Sequence, residues 1–197
     1  MIFLLAATLS FKVLGMDCAS CAPPVKKALA AIPGVTNVRV DTKANTATIE
    51  LPDGFNRETI HQALSNAGFE AELPGEHRTD FEPLPAEVRA KLDIADYDGK
   101  SLVPGKITIV DYYADWCGPC NVLERRLERY MAAHPSIALR RTNIGKWDNA
   151  AARQATRLGA TALPYIRVYS SSGKFVGAVT GSMWDEVTAV MERAGSR

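Results

Sequence analysis

The stretch IVDYYADWCGPC, residues 109–120, decides how the second half of this 197-residue chain folds. Residues 107–110 form a short apolar run that predicts a buried strand, and it leads directly to a Cys-x-x-Cys pair. Beyond the pair, apolar residues recur at helical spacing: Val122, Leu123, Leu127, Tyr130 and Met131. We therefore predict a buried strand followed by a helix that begins at the cysteine motif.

A pair of cysteines at the start of a helix is suited to redox chemistry. Unpaired backbone N–H groups and the positive end of the helix dipole favour the thiolate form of the first cysteine, Cys117. Its pKa can then fall to roughly 3.5–7.5, and the second cysteine, Cys120, is placed to attack a mixed disulfide. Half of a zinc site is the alternative, but the same domain offers only one isolated histidine, His134, and no further cysteine.

The elements around this motif predict one mixed sheet with helices on both faces. A strand over 137–140 and a helix over 148–158 follow the motif helix. Residues 165–169 and 175–179 then form a hairpin with Gly173 in its turn, and a last amphipathic helix closes the chain. The order strand, helix, strand, helix, hairpin, helix belongs to the α/β class.

This part of the chain resembles thioredoxins in its active-site strand and motif. The resemblance implies that Cys117 is the attacking thiolate and Cys120 the resolving thiol. It implies that Asp111 is a buried carboxylate with a raised pKa, able to accept the proton of Cys120. It also places Trp116 among the catalytic residues and implies a cis peptide bond at Pro164, where the preceding main chain would pair with an extended substrate.

The resemblance covers about residues 100–194 and includes three informative positions. Arg141 aligns with a basic family residue near the buried aspartate. Asn121 replaces the lysine that many thioredoxins carry after the motif, and Tyr165 replaces the usual threonine after the proline. We expect the second change to alter the selectivity of the substrate groove. The run YADWC (113–117) also resembles disulfide-exchange domains of bacterial extracytoplasmic proteins.

The remaining charged and aromatic residues of this half suggest no further site. Glu124 and Glu128 alternate with arginines on the motif helix, a pattern that predicts a solvated helix face. Trp147 and Trp184 are interpreted as packing residues. The net charge of +1 gives no reason to expect nucleic acid as a partner.

Residues 8–73 have a different order of elements. Leu9, Phe11 and Val13 alternate with polar residues, which predicts a strand, and a helical stripe follows that ends at a Pro-Gly pair (33–34). Two more strands, a second helix and a short last strand complete the pattern βαββαβ. This order is the ferredoxin-like α+β arrangement, so we predict a ferredoxin-like domain followed by a thioredoxin fold.

The motif GMDCASC in this first part resembles the loop of heavy-metal-associated domains, found in copper chaperones and soft-metal transporting ATPases. The resemblance implies that Cys18 and Cys21 are the metal ligands, and thiolates suit Cu(I) and also bind Zn(II). Asp17 stands where the commonest family loop has threonine, and its carboxylate is suited to Zn(II) or another divalent soft metal. We favour Cu(I) and keep the divalent ions as the alternative. Met16 and Phe69 are implied to pack around the loop.

We predict a heavy-metal-associated domain over 1–73, a proline-rich linker over 74–85 and a thioredoxin-like domain over 86–197. Residues 1–7 are apolar and are interpreted either as the remnant of an export signal or as the lead-in to a strand. The first reading predicts a periplasmic or other extracytoplasmic location, with the cytoplasm as the alternative. No later run approaches the roughly 20 apolar residues of a bilayer span.

These patterns together predict a thiol–disulfide oxidoreductase that carries a heavy-metal-binding module. Its partners would be protein thiols and disulfides, together with a metal-transport protein or metalloprotein if exchange is linked to metal delivery. The rival hypothesis is a soft-metal carrier or sensor in which the second domain is a docking scaffold. A single metal site made of all four cysteines is a third alternative, although 96 positions separate Cys21 from Cys117.

Overall fold

The computed structural model of the chain describes residues 7–16, 21–78 and 82–196. The chain divides into two compact units, Met1–Thr79 and Asp80–Arg197, each with its own sheet and apolar core. Within the described part of the chain, no helix combines the length and the apolar character that a membrane span requires.

The first unit has the ferredoxin-like order that the sequence predicts. Its elements are β1 (Ala7–Leu14), α1 (Ala22–Ala30), β2 (Thr36–Asp41), β3 (Thr46–Leu51), α2 (Glu58–Asn66) and β4 (Glu70–Glu72). The four strands form one sheet in the order β2-β3-β1-β4, and each neighbouring pair is antiparallel.

One face of this sheet is buried because its strands alternate strictly. Leu9, Phe11 and Val13 of β1 are buried while the residues between them are exposed. They share a core with the apolar stripes of the two helices, which include Leu29 of α1 and Leu64 of α2. Burial of a side chain of this size stabilises the fold by about 1.5–3 kcal/mol. The alternating and helical patterns of the sequence therefore predicted this core correctly.

The second unit has a thioredoxin fold. Its elements are α3 (Ala86–Arg89), β5 (Ile94–Asp96), β6 (Ile107–Tyr113), α4 (Gly118–Ala133), β7 (Ile137–Asn143), α5 (Ala150–Arg157), β8 (Tyr165–Tyr169), β9 (Phe175–Thr180) and α6 (Trp184–Gly195). The sheet order is β5-β7-β6-β8-β9. The short elements α3 and β5 were not predicted from the sequence. The helix predicted over 148–158 begins two residues later, because Asn149 is its N-cap and accepts a hydrogen bond from the Ala152 N–H.

Strand β6 lies at the centre of this sheet and is buried on both faces. Ile109 belongs to a core formed with α4 and α6, whereas Val110 and Tyr112 belong to a second core formed with α5. Asp111 is two residues from Ile109 and therefore faces the α4 side of the sheet. A strand with two buried faces has little polar sequence, which explains the continuous apolar run before the cysteine motif.

The strand directions bring three connections to one edge of the sheet. Strands β6 and β7 are parallel, so the cysteine motif after β6 and the loop 144–149 after β7 leave from the same edge. Strand β8 is antiparallel to β6, which brings Pro164, just before β8, to this edge as well. The β8–β9 hairpin turn lies at the opposite edge, where Tyr169 is paired with Thr108.

Candidate redox site

Cys117 and Cys120 form a disulfide bond at the start of α4, with an S–S distance of 2.07 Å and a Cα–Cα distance of 5.3 Å. Cys117 is the N-cap of the helix in an extended backbone conformation, and its Sγ accepts a hydrogen bond from the Cys120 N–H at 3.2 Å. Gly118 and Pro119 occupy the first helical positions. The predicted start of the helix at the motif is confirmed, and Cys117 lies where an N–H group can stabilise a thiolate.

Asp111 is buried beneath the α4 side of the sheet and pairs with a cation on the neighbouring strand. It is 1% exposed, and its Oδ2 accepts a hydrogen bond from Nε of Arg141 at 2.9 Å. The two residues are register partners in the parallel β6–β7 pair. Within the described residues no hydrogen bond reaches the other carboxylate oxygen, Oδ1. This oxygen retains a lone pair that can accept a proton.

Arg141 is shared between two carboxylates. Its Nη1 donates to Oε1 of Glu124 on α4 at 2.5 Å, while its Nε bonds to Asp111. Glu124 follows Cys120 by four residues, so the two lie on the same face of the helix. The guanidinium also lies 3.9 Å from the ring centroid of Tyr113. Asp111 is therefore joined through Arg141 to Glu124, one helical turn after Cys120.

The ionic network continues outward to α3. Arg89 donates from Nε to Glu128 at 2.6 Å and from Nη2 to Glu124 at 3.3 Å. Glu128 is buried and Glu124 is largely so. The prediction of a solvated helix face at these two glutamates is therefore wrong. Their partners come from β7 and from the unpredicted helix α3, which the spacing of charges along α4 does not show.

Burial raises the pKa of Asp111 from 3.8 to about 6. Arg141 opposes this shift by attraction and by its hydrogen bond, while the negative charge of Glu124 adds to it. Burial also disfavours the charge of Arg141, but the two carboxylates outweigh it and raise the pKa of the guanidinium. The raised pKa predicted for Asp111 is confirmed, with Glu124 as a contributor that the sequence did not reveal.

The proline predicted to be cis is cis. The peptide bond between Leu163 and Pro164 has this geometry, and the Pro164 carbonyl accepts a hydrogen bond from the Gly181 N–H at 2.8 Å. Tyr165 is buried, and its hydroxyl donates to the Leu158 carbonyl. The Tyr165 side chain is therefore part of the α5 core, and its effect on the selectivity of the substrate groove stays a prediction.

Trp116, directly before Cys117, is an exposed residue of the motif. It is 50% exposed, and its Nε1 donates to the Gly145 carbonyl at 2.5 Å. Asp115 accepts a second hydrogen bond, from the Asn143 amide, at 2.7 Å. These two contacts fix the cysteine loop against the loop that follows β7.

The upstream cysteine pair is described only in part, because Asp17 and Cys18 lie outside the described residues. Cys21 is buried and is the N-cap of α1. Met16 and Phe69 are both fully buried in the same core as Cys21, as the sequence comparison with metal-binding loops implied. Across residues 7–16, 21–78 and 82–196, no group of three or more histidine, cysteine, aspartate or glutamate side chains forms a metal cluster.

Comparison with known proteins assigns a family to each unit. The thioredoxin model matches residues 90–193, which is more than half of the chain. The chain belongs to the thioredoxin family. The model of the heavy-metal-associated domain matches residues 10–70, so this thioredoxin-family protein is a fusion with a metal-binding module at its N-terminal side.

Three relatives illustrate the two halves of this thioredoxin-family chain. Mitochondrial thioredoxin-2 of Schizosaccharomyces pombe is 33% identical over 42% of the chain and 59% of its own length. The probable copper-transporting ATPase HMA5 of Arabidopsis thaliana is 42% identical over 32% of the chain, but this is 6% of the ATPase. The crystal structure of spinach chloroplast thioredoxin f has 18% identity and a TM-score of 0.45, covering 55% of this chain and 93% of that one. The chain thus spans 59% or less of the two curated relatives.

Sequence reasoning missed two residues of the ionic network in this thioredoxin-family protein and misjudged the exposure of a tryptophan in the loop after β7. Glu124 and Arg89 were missed because their partners come from elements distant along the chain. Trp147 was interpreted as a packing residue, but it is 43% exposed in the loop next to the motif. Its position two residues before the helix cap Asn149 was the available signal, since residues just outside a cap are commonly exposed. Trp184 does pack against the α4–α6 core, as expected.

Proposed function

We propose that the protein is a thiol–disulfide oxidoreductase acting on protein disulfides and dithiols, with Cys117 as the nucleophile. The observation that carries the proposal is the disulfide at the N-terminus of α4, with Cys120 one turn before Glu124, which joins the helix to the Arg141–Asp111 pair. A disulfide of purely structural use would not need a buried carboxylate with a raised pKa and an unoccupied oxygen on the strand that leads into it.

In the reducing direction, the first step is attack by the Cys117 thiolate on one sulfur of a substrate disulfide. The substrate S–S bond breaks, a mixed disulfide forms, and one substrate cysteine leaves as a thiolate. The N–H of Cys120 stabilises the negative charge on the Cys117 sulfur before attack. The main chain before Pro164 lies at the same sheet edge and is proposed to pair with the extended substrate segment.

In the second step, Cys120 loses its proton to Asp111 and attacks the Cys117 sulfur. This closes the Cys117–Cys120 disulfide and releases the second substrate thiolate, so two electrons pass from the enzyme dithiol to the substrate. A carboxylate with a pKa of about 6 is ionised at neutral pH and can still hold the proton transiently. An external dithiol returns the enzyme to its reduced form, and the reverse sequence oxidises a substrate dithiol.

Reduction of insulin by the full-length protein with a dithiol regenerant tests this proposal. We expect wild-type activity, none above background for Cys117→Ser, and a trapped mixed disulfide with Cys120→Ser. Equal rates for wild type and Cys117→Ser would contradict the proposal. An inactive wild type would instead support the rival function, a soft-metal carrier or sensor with the thioredoxin domain as a docking scaffold.

We further propose that Cys18 and Cys21 bind a soft metal ion, with Cu(I) preferred over Zn(II). Two thiolates fit this class of ion, and the buried position of Cys21 beside Met16 and Phe69 provides an apolar surrounding that limits competition from water. The similarity to a copper-transporting ATPase supports Cu(I). Asp17 is proposed as an additional oxygen ligand for a divalent ion.

The link between the two domains is proposed as redox maintenance of the metal site. The thioredoxin domain would reduce a Cys18–Cys21 disulfide, restoring two thiolates for a metal that is passed to a transport protein or metalloprotein. Oxidised full-length protein, treated with a dithiol regenerant at a concentration too low to reduce the pair directly, should regain Cu(I) binding in wild type. Equal recovery in Cys117→Ser would contradict the link. The extracytoplasmic location stays a prediction.

A further inference from the structure

Exposed apolar side chains are concentrated at the edge of the thioredoxin-domain sheet from which the cysteine motif leaves, called the redox edge below. Among the described residues, the large apolar side chains that are exposed are Trp116 at 50%, Trp147 at 43% and Phe175 at 43%. The two tryptophans follow β6 and β7, whose parallel ends share the edge that carries the cysteines. Phe175 begins β9 at the opposite edge, opposite Tyr169. Exposed apolar surface of this kind commonly marks an interaction site.

The loop that carries Trp147 is held at both ends. Ile144 is fully buried, and its N–H donates to the Tyr113 carbonyl at 2.8 Å. At the other end, the Asn149 side chain caps α5 and also donates to the Ile144 carbonyl, which closes the loop on itself. Trp147 lies between these two ends and takes part in none of the hydrogen bonds that hold the loop.

The same loop is attached to the cysteine motif. The Gly145 carbonyl accepts the hydrogen bond of the Trp116 indole, and the Gly145 N–H donates to Asn143 Oδ1 at 2.8 Å. The Asn143 amide in turn donates to Asp115. Because Trp147 is two residues from Gly145, its backbone is fixed in relation to the Cys117 loop. A side chain on a fixed loop loses little conformational freedom when a partner binds to it.

We propose that Trp147 is a specificity-determining contact for protein substrates, packing against an apolar segment next to the disulfide that Cys117 attacks. The proposal rests on the oxidoreductase function and adds a residue of this chain, Trp147, that selects among protein substrates by the apolar residues next to their disulfide. Tryptophan supplies a large rigid apolar surface and is over-represented among the residues that dominate protein interfaces. Trp147 adds exposed apolar surface at the redox edge, the same edge of the sheet as Trp116.

The proposal predicts that loss of the Trp147 side chain affects protein substrates but not small disulfides. A small disulfide reaches the Cys117 sulfur without contacting the loop after β7, whereas a protein disulfide brings flanking residues that do. Loss of the indole should therefore weaken binding of a protein substrate and leave the chemical steps unchanged. Phe175 provides a matched control, because it has the same exposed fraction and lies at the other edge of the sheet.

The test compares insulin with hydroxyethyl disulfide as substrates of wild type, Trp147→Ala, Trp147→Phe and Phe175→Ala, all full length. We expect Trp147→Ala to raise KM for insulin roughly 5- to 30-fold with kcat unchanged, the effect of losing one interface hot spot. Rates with hydroxyethyl disulfide should equal those of wild type. Trp147→Phe should keep most of the insulin affinity, and Phe175→Ala should behave as wild type with both substrates.

Two outcomes would overturn this inference. If Trp147→Ala and Phe175→Ala give the same KM for insulin, Trp147 is not a substrate contact. If Trp147→Ala loses activity with both substrates in parallel, the tryptophan supports the active site and does not select substrates. Should Trp147→Ala fail to fold, Trp147→Gln provides the same comparison. Wild-type protein that is inactive with both substrates would refute the oxidoreductase function itself, which is a separate result.

Discussion

The two Cys-x-x-Cys segments share a spacing but meet their helices at different points. Helix α4 begins directly after the first cysteine, so that Cys117 is the N-cap and Cys120 lies inside the first turn. Helix α1 begins directly after the second cysteine of its pair, and Cys21 is the N-cap. Relative to its cysteine motif, α1 therefore begins three residues later than α4 does.

This shift changes which backbone groups are available to the sulfur atoms. At α4 the Cys120 N–H bonds to the Cys117 sulfur. At α1 the first turn contains Pro23 and Pro24, which lack N–H groups and so remove two donors from the helix N-terminus. Backbone N–H groups that can stabilise a thiolate are therefore available at the downstream pair and fewer at the upstream pair.

The surroundings of the two pairs differ in the same sense. The α4 face that carries Cys120 leads to a network of charged groups, with Asp111 at its buried end. Both cysteines of the downstream pair also lie in an apolar cluster, so burial alone does not distinguish them from Cys21, which packs in a core with Met16 and Phe69. The difference is the buried carboxylate, because a proton acceptor of this kind serves disulfide exchange and not the binding of a soft metal. The two motifs thus share a spacing but differ in helix register and in their charged neighbours.

The largest expected effect is that mutation of one cysteine pair abolishes insulin reduction only, and mutation of the other pair abolishes Cu(I) binding only. In protein that has been fully reduced beforehand, Cys117→Ser should lower insulin reduction to background and leave Cu(I) binding at the wild-type stoichiometry. Cys21→Ser should do the reverse. Activity assays and metal analysis of the purified full-length variants provide the measurement. Loss of both properties in either variant would show that the two pairs form one functional site.

The next effect concerns stability and comes from Asp111. Its pKa is about 6 in the folded protein and near 3.8 when unfolded, so ionisation disfavours folding. This penalty is absent below about pH 4, grows as pH rises through the folded pKa, and amounts to roughly 3 kcal/mol at pH 7. Asp111→Asn should therefore become more stable relative to wild type as pH increases over this range.

Urea unfolding of the oxidised protein, followed by tryptophan fluorescence, measures this change. All three tryptophans of the chain, Trp116, Trp147 and Trp184, lie in the thioredoxin domain, so the signal reports on that domain. A stability difference between Asp111→Asn and wild type that stays constant from pH 4 to pH 7 would contradict the raised pKa.

A smaller effect tests the role of Glu124. Its negative charge helps to raise the pKa of Asp111, so Glu124→Gln should lower that pKa below the wild-type value. Carboxyl-carbon NMR titration of the oxidised protein reads this ionisation directly. Glu128→Gln is the matched control, because Glu128 lies on the same helix face and bonds to Arg89 rather than Arg141. The same pKa for Asp111 in the two variants would show that Glu124 does not contribute to the shift.

The smallest expected effect is at Asp17. If its carboxylate contributes to a divalent site, Asp17→Asn should weaken Zn(II) binding by about tenfold, the lower end of the range for a supporting metal contact. Cu(I) affinity should not change, because Cu(I) gains little from a hard oxygen ligand. Competition titrations with chelators for each ion measure both affinities. An equal loss of affinity for both ions would indicate that Asp17 supports the structure of the loop and does not bind the metal.

Local patterns predicted most of the fold and the central residues of the site. Alternation along β1 and the apolar spacing along α4 are properties of neighbouring residues, and the structure has both. Elements of three or four residues, such as β5 and α3, are too short to show a period. Asp111 and the cis bond at Pro164 were predicted from family resemblance rather than from spacing.

The interactions that the sequence did not reveal join distant parts of the chain. Glu124 appears solvated in the alternating charges of α4, yet Arg141 is brought to it by the parallel pairing of β6 and β7. The loop that carries Trp147 is attached to the cysteine motif by the hydrogen bond from Trp116 to Gly145, which are 29 positions apart. Both depend on tertiary contacts that residue types and their spacing do not specify.

A redox titration of the Cys117–Cys120 pair is the most direct test of the central claim, which is that the two motifs form two separate sites and not one. It is carried out on wild type and on the Cys18→Ser/Cys21→Ser variant, each with and without Cu(I), and followed by thiol labelling. We predict the same two-electron transition in all four samples. A transition that disappears when Cu(I) is added to wild type, or that is absent from the variant, would contradict the account and point to one shared four-cysteine site.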